Sequence, residues 1–355
     1  MADDVVRRSR GQASRRAAFG TRDIAVDLGT ANTLIVVRGE GIVLDEPSVV
    51  AVNTMDETLL AVGREAKRMI GRTPPHIRAV RPLKDGVIAD FENCERMLRY
   101  FIQQIHSRRW AKPRMVICVP SGVTGVERRA VQEAAEFAGA RPPVYIVDEP
   151  MAAAIGAGLP VAAPTGSMVI DIGGGTTEVA VISLGGVVAS QSSRVGGDGM
   201  DDAIKQFLKK DKGVDVGDRT AEAIKVRLGS AHPLTREFRA VVTGRSLLTG
   251  LPESVEFSTR EIREALEEPV EAIIDTVKVT LDGTPPELIT DILEDGIHLA
   301  GGGSLLIGLP DRIRAETGMP AFVVGNPLGA IAEGAGIILE NFAKYGEMIF
   351  GGDGN

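Results

Sequence analysis

Residues 27–33 read Asp-Leu-Gly-Thr-Ala-Asn-Thr, and residues 171–177 read Asp-Ile-Gly-Gly-Gly-Thr-Thr. Each stretch lies between two short runs rich in Val and Ile, which predicts a β-hairpin whose tip is rich in glycine and hydroxyl side chains. The copies begin at Asp27 and Asp171, 144 residues apart, a period far too long for a solenoid repeat. The pair therefore predicts a duplicated domain in which each half contributes one loop to a shared cleft.

The composition of the two loops is suited to holding phosphate. Backbone N–H groups converge on an anion most easily where glycine and small hydroxyl residues leave room for it. Asp27 and Asp171 would point at the same phosphates, and two carboxylates there require a divalent cation such as Mg²⁺, which proteins hold through one or two carboxylates, water and phosphate oxygens. The alternative is that both loops are ordinary hairpins with glycine at positive φ.

A third glycine cluster occupies residues 301–304, after the predicted strand 297–299. We expect it to open a helix near Leu305, where backbone approaches a ligand closely and a helix N-terminus faces an anion.

The rest of the chain alternates short apolar runs with helical patterns, which predicts an α/β architecture. At 355 residues the chain has the length of about two domains. The predicted strands are residues 24–27, 34–37, 116–119, 144–147, 168–171, 179–182 and 297–299. The predicted helices are residues 92–106, 126–138, 150–157, 200–209, 220–228, 260–281 and 328–342. In the helix 126–138 we expect one apolar side formed by Val126, Ala130, Val131, Ala134, Phe137 and Ala138.

Composition and charge exclude several classes of protein. The net charge is −8, and residues 1–22 carry six Arg and two Asp, so the remainder is more acidic still. An acidic body argues against nucleic acid as a partner, since phosphate contacts need clustered Lys and Arg. Two cysteines, Cys94 and Cys118, form no disulfide framework or zinc spacing, which is typical of a reducing cytosol. No secretory signal is expected in residues 1–22.

One charge-free run, residues 150–170, is nominally long enough to span a bilayer. Its three prolines and three glycines predict a helix, a loop and a strand within a globular protein instead.

The common motifs of other enzymes are missing from the sequence. It contains no Gly-Lys dipeptide and hence no Walker A loop, and no Gly-x-Gly-x-x-Gly after a strand. No serine has glycine at both −2 and +2, and the four histidines are scattered. The sequence therefore argues against a Walker A loop, a dinucleotide-binding loop, a nucleophile elbow and a zinc enzyme.

Eight stretches, in order, resemble the actin, Hsp70 and sugar kinase superfamily and, within it, the MreB/Mbl family of bacterial actin homologues. The resemblance runs from about residue 23 to about residue 342 and rests on residues 24–32, 41–50, 77–90, 116–122, 148–158, 169–184, 219–225 and 299–306. It implies an actin-like ATPase fold, with two duplicated lobes around a nucleotide cleft, each a mixed sheet flanked by helices with smaller inserted subdomains.

The resemblance also implies a division of the chain. Lobe I would comprise residues 23–160 plus 330–355 with a small subdomain at about 51–83, and lobe II residues 161–329 with a small subdomain at about 200–262. Residues 1–22 would form a basic, flexible arm.

Roles for individual residues follow from the same resemblance. Glu149 would position and polarise the attacking water, assisted by Thr176. Glu222 and Lys225, three residues apart on one helix face, would contact the adenosine. The alternatives are a helix-terminal carboxylate for Glu149 and a solvated ion pair for Glu222 and Lys225. ATP or ADP with Mg²⁺ at Asp27 and Asp171 would be bound by Gly29, Thr30, Ala31, Asn32, Thr33, Gly173, Gly174, Gly175, Thr176, Thr177, Glu222, Lys225, Gly301, Gly302, Gly303, Ser304 and Leu305.

Two stretches depart from the family pattern. The family's usual Ala-Gly-Asp-Glu-Met reads Gly197-Asp198-Gly199-Met200 in this sequence, so Gly199 stands where Glu is usual. Near the C-terminus, Leu328-Gly329-Ala330 replaces a more usual Leu-Thr-x. We expect these departures to affect turnover rate more than the fold.

As a function, the resemblance implies a slow cytoskeletal ATPase that polymerises into filaments and organises cell-wall synthesis, determining bacterial cell shape. Its partners would be further copies of itself, the cell-wall elongation machinery and membrane-embedded shape proteins. It would be cytoplasmic and associated with the inner face of the cell membrane. The Trp110 loop, Arg108-Arg109-Trp110-Ala111-Lys112, or the N-terminal arm would contact lipid. Alternatively, Trp110 packs within its own subunit and the arm is a loose tail.

Two other functions on the same fold remain alternatives. One is an Hsp70-like chaperone ATPase, against which we expect no substrate-binding domain before the chain ends at Asn355. The other is a small-molecule kinase, against which no Asp occupies an obvious acceptor-activating position. A regulator that has kept the nucleotide site but lost efficient polymerisation is a third possibility.

Overall fold

The computed structural model describes residues 22–106 and 112–350, without the side chains of residues 347–350. Trp110 and residues 1–21 lie outside this range. The strands are β1 Ile24–Leu28, β2 Asn32–Val37, β3 Gly41–Pro47, β4 Val50–Asn53, β5 Leu59–Val62, β6 Ile77–Val80, β7 Leu83–Lys84, β8 Val87–Ile88, β9 Met115–Val119, β10 Tyr145–Asp148, β11 Ser167–Ile172, β12 Thr177–Ser183, β13 Gly186–Ser193, β14 Val214–Asp215, β15 Arg239–Ser246, β16 Pro252–Ser258, β17 Ile297–Ala300 and β18 Ala321–Val323.

The helices complete the order of elements along the chain. They are α1 Arg64–Met69, α2 Phe91–Ile105, α3 Gly125–Ala138, α4 Glu149–Gly156, α5 Gly197–Asp211, α6 Asp218–Leu228, α7 Thr259–Ala265, α8 Glu267–Asp282, α9 Pro286–Asp295, a 3₁₀ helix Gly302–Leu305, α10 Leu309–Thr317, α11 Ala330–Glu340 and α12 Phe342–Phe350.

Two five-stranded sheets share one topology. The first has the order β10-β9-β1-β2-β3 and the second β13-β12-β11-β17-β18. In each, a central strand pairs antiparallel with the strand that follows its hairpin, and parallel with a strand reached by a crossover: β1 with β2 and β9, and β11 with β12 and β17. The mixed α/β fold expected from the sequence is therefore present, with both repeated motifs at equivalent hairpins.

The inner strands β1, β9, β11 and β12 are buried along their whole length because they are continuous runs rich in Val, Ile and Ala, as expected for strands covered on both faces. The edge strands β3 and β13 are more exposed. One core joins the first sheet to α2 and α3, and another joins the second sheet to α5 and α8. Three-stranded sheets form two smaller units, β5-β4-β6 and β14-β15-β16. They fall in or next to the proposed subdomains 51–83 and 200–262.

A third core lies between the two large sheets and contains α4 and α11. The helices cross at two glycines: a Cβ built on Gly334 would lie 1.8 Å from the carbonyl oxygen of Ala152, and one on Gly156 would lie 1.9 Å from that of Ala330. Only the absence of side chains lets the backbones approach this closely. Both sheets pack on this helix pair, so the contact sets the distance between them.

Two expectations about helices are wrong. The predicted helix 260–281 is divided at Leu266 into α7 and α8, since Pro269 has no N–H to donate to the carbonyl of Ala265. On α3, Val126 and Phe137 were expected on the apolar side, but they are 82% and 64% exposed. The buried residues of α3 are Val131, Ala134, Ala135 and Ala138. Phe137 packs against Phe91 near the surface, with 6.3 Å between the ring centroids.

The charge-free run 150–170 consists of most of α4, a loop and the start of β11, as predicted. None of the helices in the described part of the chain has the length and apolar character needed to cross a membrane.

The glycine contact between α4 and α11 predicts that a Gly→Ala substitution lowers stability much more at Gly334 than at Gly125. Gly334→Ala should lower the free energy of unfolding by at least about 2 kcal/mol, because the new methyl group must displace a backbone carbonyl. Gly125→Ala, in a helix with nothing within 4 Å of the new Cβ, should be neutral or slightly stabilising. Urea denaturation measures both; equal effects would contradict this account of the contact.

Candidate functional site

The two hairpin tips meet between the lobes. A Cβ built on Gly174 would lie 2.8 Å from the Cβ of Ala31, and one on Gly175 would lie 2.9 Å from Oγ1 of Thr30. A side chain at either glycine would force the tips apart. The duplicated motif thus forms a single site, with one loop from each sheet.

Hydrogen bonds from neighbouring segments hold each tip. In the first, the Ser48 hydroxyl donates to the carbonyl of Gly29 at 2.6 Å. In the second, the N–H groups of Gly197 and Asp198 donate to the carbonyls of Gly173 and Gly174 at 3.0 and 2.8 Å. These hydrogen bonds connect each tip to a neighbouring segment of its own lobe.

The third glycine cluster packs directly beneath the second tip. Gly301 has φ +76°, and a Cβ there would lie 2.3 Å from the carbonyl oxygen of Ile172. The helix expected near Leu305 is a 3₁₀ helix instead, and the α-helix begins only at Leu309. Pro310 and the left-handed Gly308 account for the later start.

Together these loops enclose a cleft of about 530 Å³, within the range of small-molecule sites. Of the predicted site residues, seventeen line it: Asp27, Gly29, Thr30, Ala31, Asn32, Glu149, Asp171, Gly173, Gly174, Gly175, Thr176, Glu222, Lys225, Gly301, Gly302, Gly303 and Leu305.

Three predicted binding residues do not line the cleft. The hydroxyl of Thr177 donates to the carbonyl of Val195 at 2.7 Å, and that of Ser304 donates to the carbonyl of Gly301 at 2.6 Å. The Thr33 hydroxyl is 2.9 Å from that of Ser48. All three hydroxyls therefore form hydrogen bonds that hold the loops in shape.

Three carboxylates are buried at the base of the cleft. Burial, and secondly the charge of Asp45, raises the pKa of Asp27 to about 7. Burial, followed by the charges of Asp27 and Glu178, raises the pKa of Asp171 to about 8. Burial likewise places the pKa of Glu149 well above its usual range, with Asp171 and Asp27 adding to the effect. Among the residues that the structure describes, no cation is one of the main influences on the pKa of any of the three.

The carboxylates of the cleft could contribute to binding a cation. Oδ1 of Asp171 is buried and has no hydrogen-bond partner among the described residues. Within that same part of the chain, no three ligating side chains converge as a ready-made metal cage. The donors fit a hard cation held by one or two carboxylates with the remaining ligands from water or substrate, which is the usual manner of Mg²⁺.

Glu149 is the first residue of α4 and also lines the cleft. Glu149 can therefore be both a helix-terminal carboxylate and a residue of the site. Thr176 lies across from it on the second tip, next to Gly86 in the β7–β8 turn: a Cβ on Gly86 would be 3.1 Å from the Thr176 methyl carbon. Gly86 also donates its N–H to the Thr30 hydroxyl at 3.0 Å.

Glu222 and Lys225 both face the cleft, but each already has a protein partner. Glu222 accepts from Lys67, across the cleft on α1, at 3.0 Å. Lys225 lies 3.0 Å from Asp201 and donates to the carbonyl of Gly197 at 2.8 Å. A ligand that contacts Glu222 and Lys225 therefore binds to side chains that are already held in position by ion pairs.

A second ion pair between the lobes, Arg81 with Asp198, was not expected from the sequence. Arg81 donates to both carboxylate oxygens of Asp198 at 2.9 Å, and both residues line the cleft. Arg81 lies within the stretch 77–90 that carries part of the family resemblance, but no spacing rule connects it to a residue 117 positions away.

Comparison with known proteins agrees with this geometry. The family model described as MreB/Mbl protein matches residues 21–347. The chain is 51% identical to the cell shape-determining protein MreB of Escherichia coli K12 over 336 residues, covering 93% of this chain and 96% of that protein. It is 47% identical to the cell shape-determining protein Mbl of Bacillus subtilis over 324 residues, covering 91% and 97%.

Solved structures of actin-like proteins also resemble this chain. The crystal structure of MreB5 of Spiroplasma citri bound to ADP matches with a TM-score of 0.87 and 37% identity, covering 91% of this chain and 98% of that chain. The MamK double helical filament matches with a TM-score of 0.75 at 20% identity, over 91% and 99%, and shows the fold alone. The chain belongs to the MreB/Mbl family of cell shape-determining proteins and has its actin-like fold.

Proposed function

We propose that this protein is a cytoskeletal ATPase that binds ATP or ADP with Mg²⁺ between its lobes, hydrolyses ATP slowly and polymerises into filaments. The observation that carries the proposal is the contact of the two glycine-rich tips above the buried Asp27 and Asp171. The relative MreB5 of Spiroplasma citri has been crystallised with ADP and with AMPPNP. The filaments would lie on the inner face of the cell membrane and organise cell-wall synthesis with membrane-embedded shape proteins.

In this proposal the backbone N–H groups of the two tips bind the β- and γ-phosphates, and the loops keep the terminal phosphate in line with a water molecule. Glu149, as a carboxylate, and Thr176 orient that water by hydrogen bonds. As the water oxygen bonds to the γ-phosphorus, the bond from the γ-phosphorus to the β–γ bridging oxygen breaks, ADP leaves with that oxygen, and Glu149 accepts the proton of the water. Asp27 and Asp171 would hold Mg²⁺, through water. When bound, Mg²⁺ supplies positive charge against the phosphate oxygens.

Assembly is the property that separates this function from its alternatives. With Mg²⁺ and ATP, the full chain should pellet on ultracentrifugation and form filaments in electron micrographs, and it should pellet less with ADP. Soluble monomers that phosphorylate a sugar would instead support a small-molecule kinase, and ATP-dependent peptide binding without filaments would support an Hsp70-like chaperone. Nucleotide binding with no assembly would support a regulator.

The same assay addresses the membrane. Filaments should co-sediment with vesicles containing anionic lipid, and either Trp110→Ala or removal of residues 1–22 should reduce that fraction, since these segments offer an aromatic among cations and a basic arm. Unchanged co-sedimentation of both variants would exclude the two segments as lipid contacts.

Replacing the proposed water-orienting carboxylate should separate binding from hydrolysis. Glu149→Gln should slow phosphate release by about 10²-fold or more while nucleotide affinity changes by only a few fold, because the amide cannot accept the proton of the water. Glu287→Gln is the matched control, since Glu287 is also in the first turn of a helix but is exposed. Unchanged phosphate release in Glu149→Gln would contradict the assignment.

The buried carboxylates predict a pH dependence in the nucleotide-free protein. The pKa of Asp171 is about 8 when folded and about 4 when unfolded, so the folded state retains a proton between these values. The free energy of unfolding should therefore fall as pH rises from 5 to 7, by on the order of 1 kcal/mol per pH unit from this group.

Urea denaturation at pH 5, 6 and 7 without divalent cations tests this expectation. Asp171→Asn should flatten the profile, whereas Asp282→Asn, an exposed residue, should leave it unchanged. Parallel profiles for wild type and Asp171→Asn would show that Asp171 is not held protonated.

A further inference from the structure

A second cavity of about 530 Å³ lies beside the nucleotide cleft, between α1 of lobe I and α6 of lobe II. Five cations line it and only one carboxylate does: Arg64, Lys67, Arg68, Arg219 and Arg227 against Glu222. Such a concentration of positive charge is unexpected in a chain whose net charge is −8. We call this cavity the cross-lobe groove.

Helical spacing explains why the cations converge. On α1, Arg64, Lys67 and Arg68 occur at positions i, i+3 and i+4 and share one face. On α6, Arg219 and Arg227 lie eight residues apart, on the face that also carries Glu222. The two faces are opposed across the groove, so each lobe contributes one bank of cations.

The charges in the groove are only partly compensated. Lys67 is paired with Glu222 at 3.0 Å, and Arg64 is 3.6 Å from Glu46. Within the described parts of the chain, Arg68, Arg219 and Arg227 have no ion pair or hydrogen bond through their side chains, and all three are exposed. Exposed guanidinium groups that face one another across a groove repel, and an anion between them relieves that repulsion.

The groove is distinct from the nucleotide cleft. Four of its arginines line the groove and not the cleft, and the Lys67–Glu222 pair is the wall between the two cavities. An anion in the groove therefore does not displace the proposed nucleotide, and it contacts both lobes from the outer side of that wall.

We propose that the cross-lobe groove binds a small polyphosphate anion, such as inorganic triphosphate or the phosphate chain of a nucleotide, and that the bound anion holds the two lobes together. Guanidinium groups bind phosphate through paired N–H donors, and a chain of phosphates offers more anionic oxygens to the arginines of both helices than a single phosphate does. Holding the lobes together would slow the release of nucleotide from the cleft.

The first test measures binding alone. Full-length protein saturated with Mg²⁺ and AMPPNP is titrated with inorganic triphosphate by calorimetry, below the concentration at which it assembles. We expect one triphosphate per chain, at least tenfold weaker binding of orthophosphate, and at least tenfold weaker triphosphate binding in R68Q/R219Q. The control R129Q removes an exposed arginine on α3 and should change affinity less than twofold.

Equal triphosphate affinity in wild type and R68Q/R219Q would overturn the proposal, as would no saturable binding to wild type. Tighter binding of a hexaglutamate peptide than of triphosphate would also overturn it, in favour of an acidic protein segment as the occupant.

The second test measures the effect on the cleft and depends on nucleotide binding there, whereas the first uses AMPPNP only to keep triphosphate out of the cleft and is decided by the comparison of wild type with R68Q/R219Q. Triphosphate should slow the release of a fluorescent ADP several fold from wild type and R129Q, but not from R68Q/R219Q. Equal slowing in all three proteins would reject the groove as the cause. If fluorescent ADP does not bind at all, the proposed nucleotide site fails while the calorimetric result still decides on the groove.

Discussion

The contact between α4 and α11 is the constraint on which the arrangement of the molecule depends. Gly156 and Gly334 let the two helix backbones touch, and each large sheet packs against the resulting pair. With the sheets at this distance, the hairpin tips that follow β1 and β11 meet at Ala31 and Gly174. A bulkier helix contact would move the sheets apart and separate the two halves of the site.

The cleft contains three acidic side chains that are buried close together, an arrangement that is unfavourable for folding. Asp27, Asp171 and Glu149 are buried together, and burial raises the pKa of all three above its usual range. Such an arrangement costs stability unless a cation shares the site. The same groups that destabilise the empty protein are those that the proposed nucleotide and Mg²⁺ would use, so folding energy and ligand binding are linked at this point.

Ion pairs from different elements tie the lobes together at the mouth of the cleft. Arg81 reaches Asp198, and Lys67 reaches Glu222, in both cases from lobe I to lobe II. Lys67 and Glu222 also form the wall shared with the cross-lobe groove, so the relative position of the lobes bears on both cavities. Partly exposed pairs of this kind are individually weak, which leaves the cleft able to open for exchange of a ligand.

The sequence by itself determined the duplicated hairpins, the buried strands, the loops of the cleft and the family, because these depend on local spacing and on glycine at defined positions. It did not show which hydroxyls of these loops are bonded within the protein, because that depends on neighbouring segments. Thr177 and Ser304 share the motifs of binding residues, yet their hydroxyls bond to nearby carbonyls. Only the tertiary structure brought Arg81 to Asp198, and α1 to α6, because these contacts join segments more than a hundred residues apart through the packing of two lobes, and no local pattern encodes that distance.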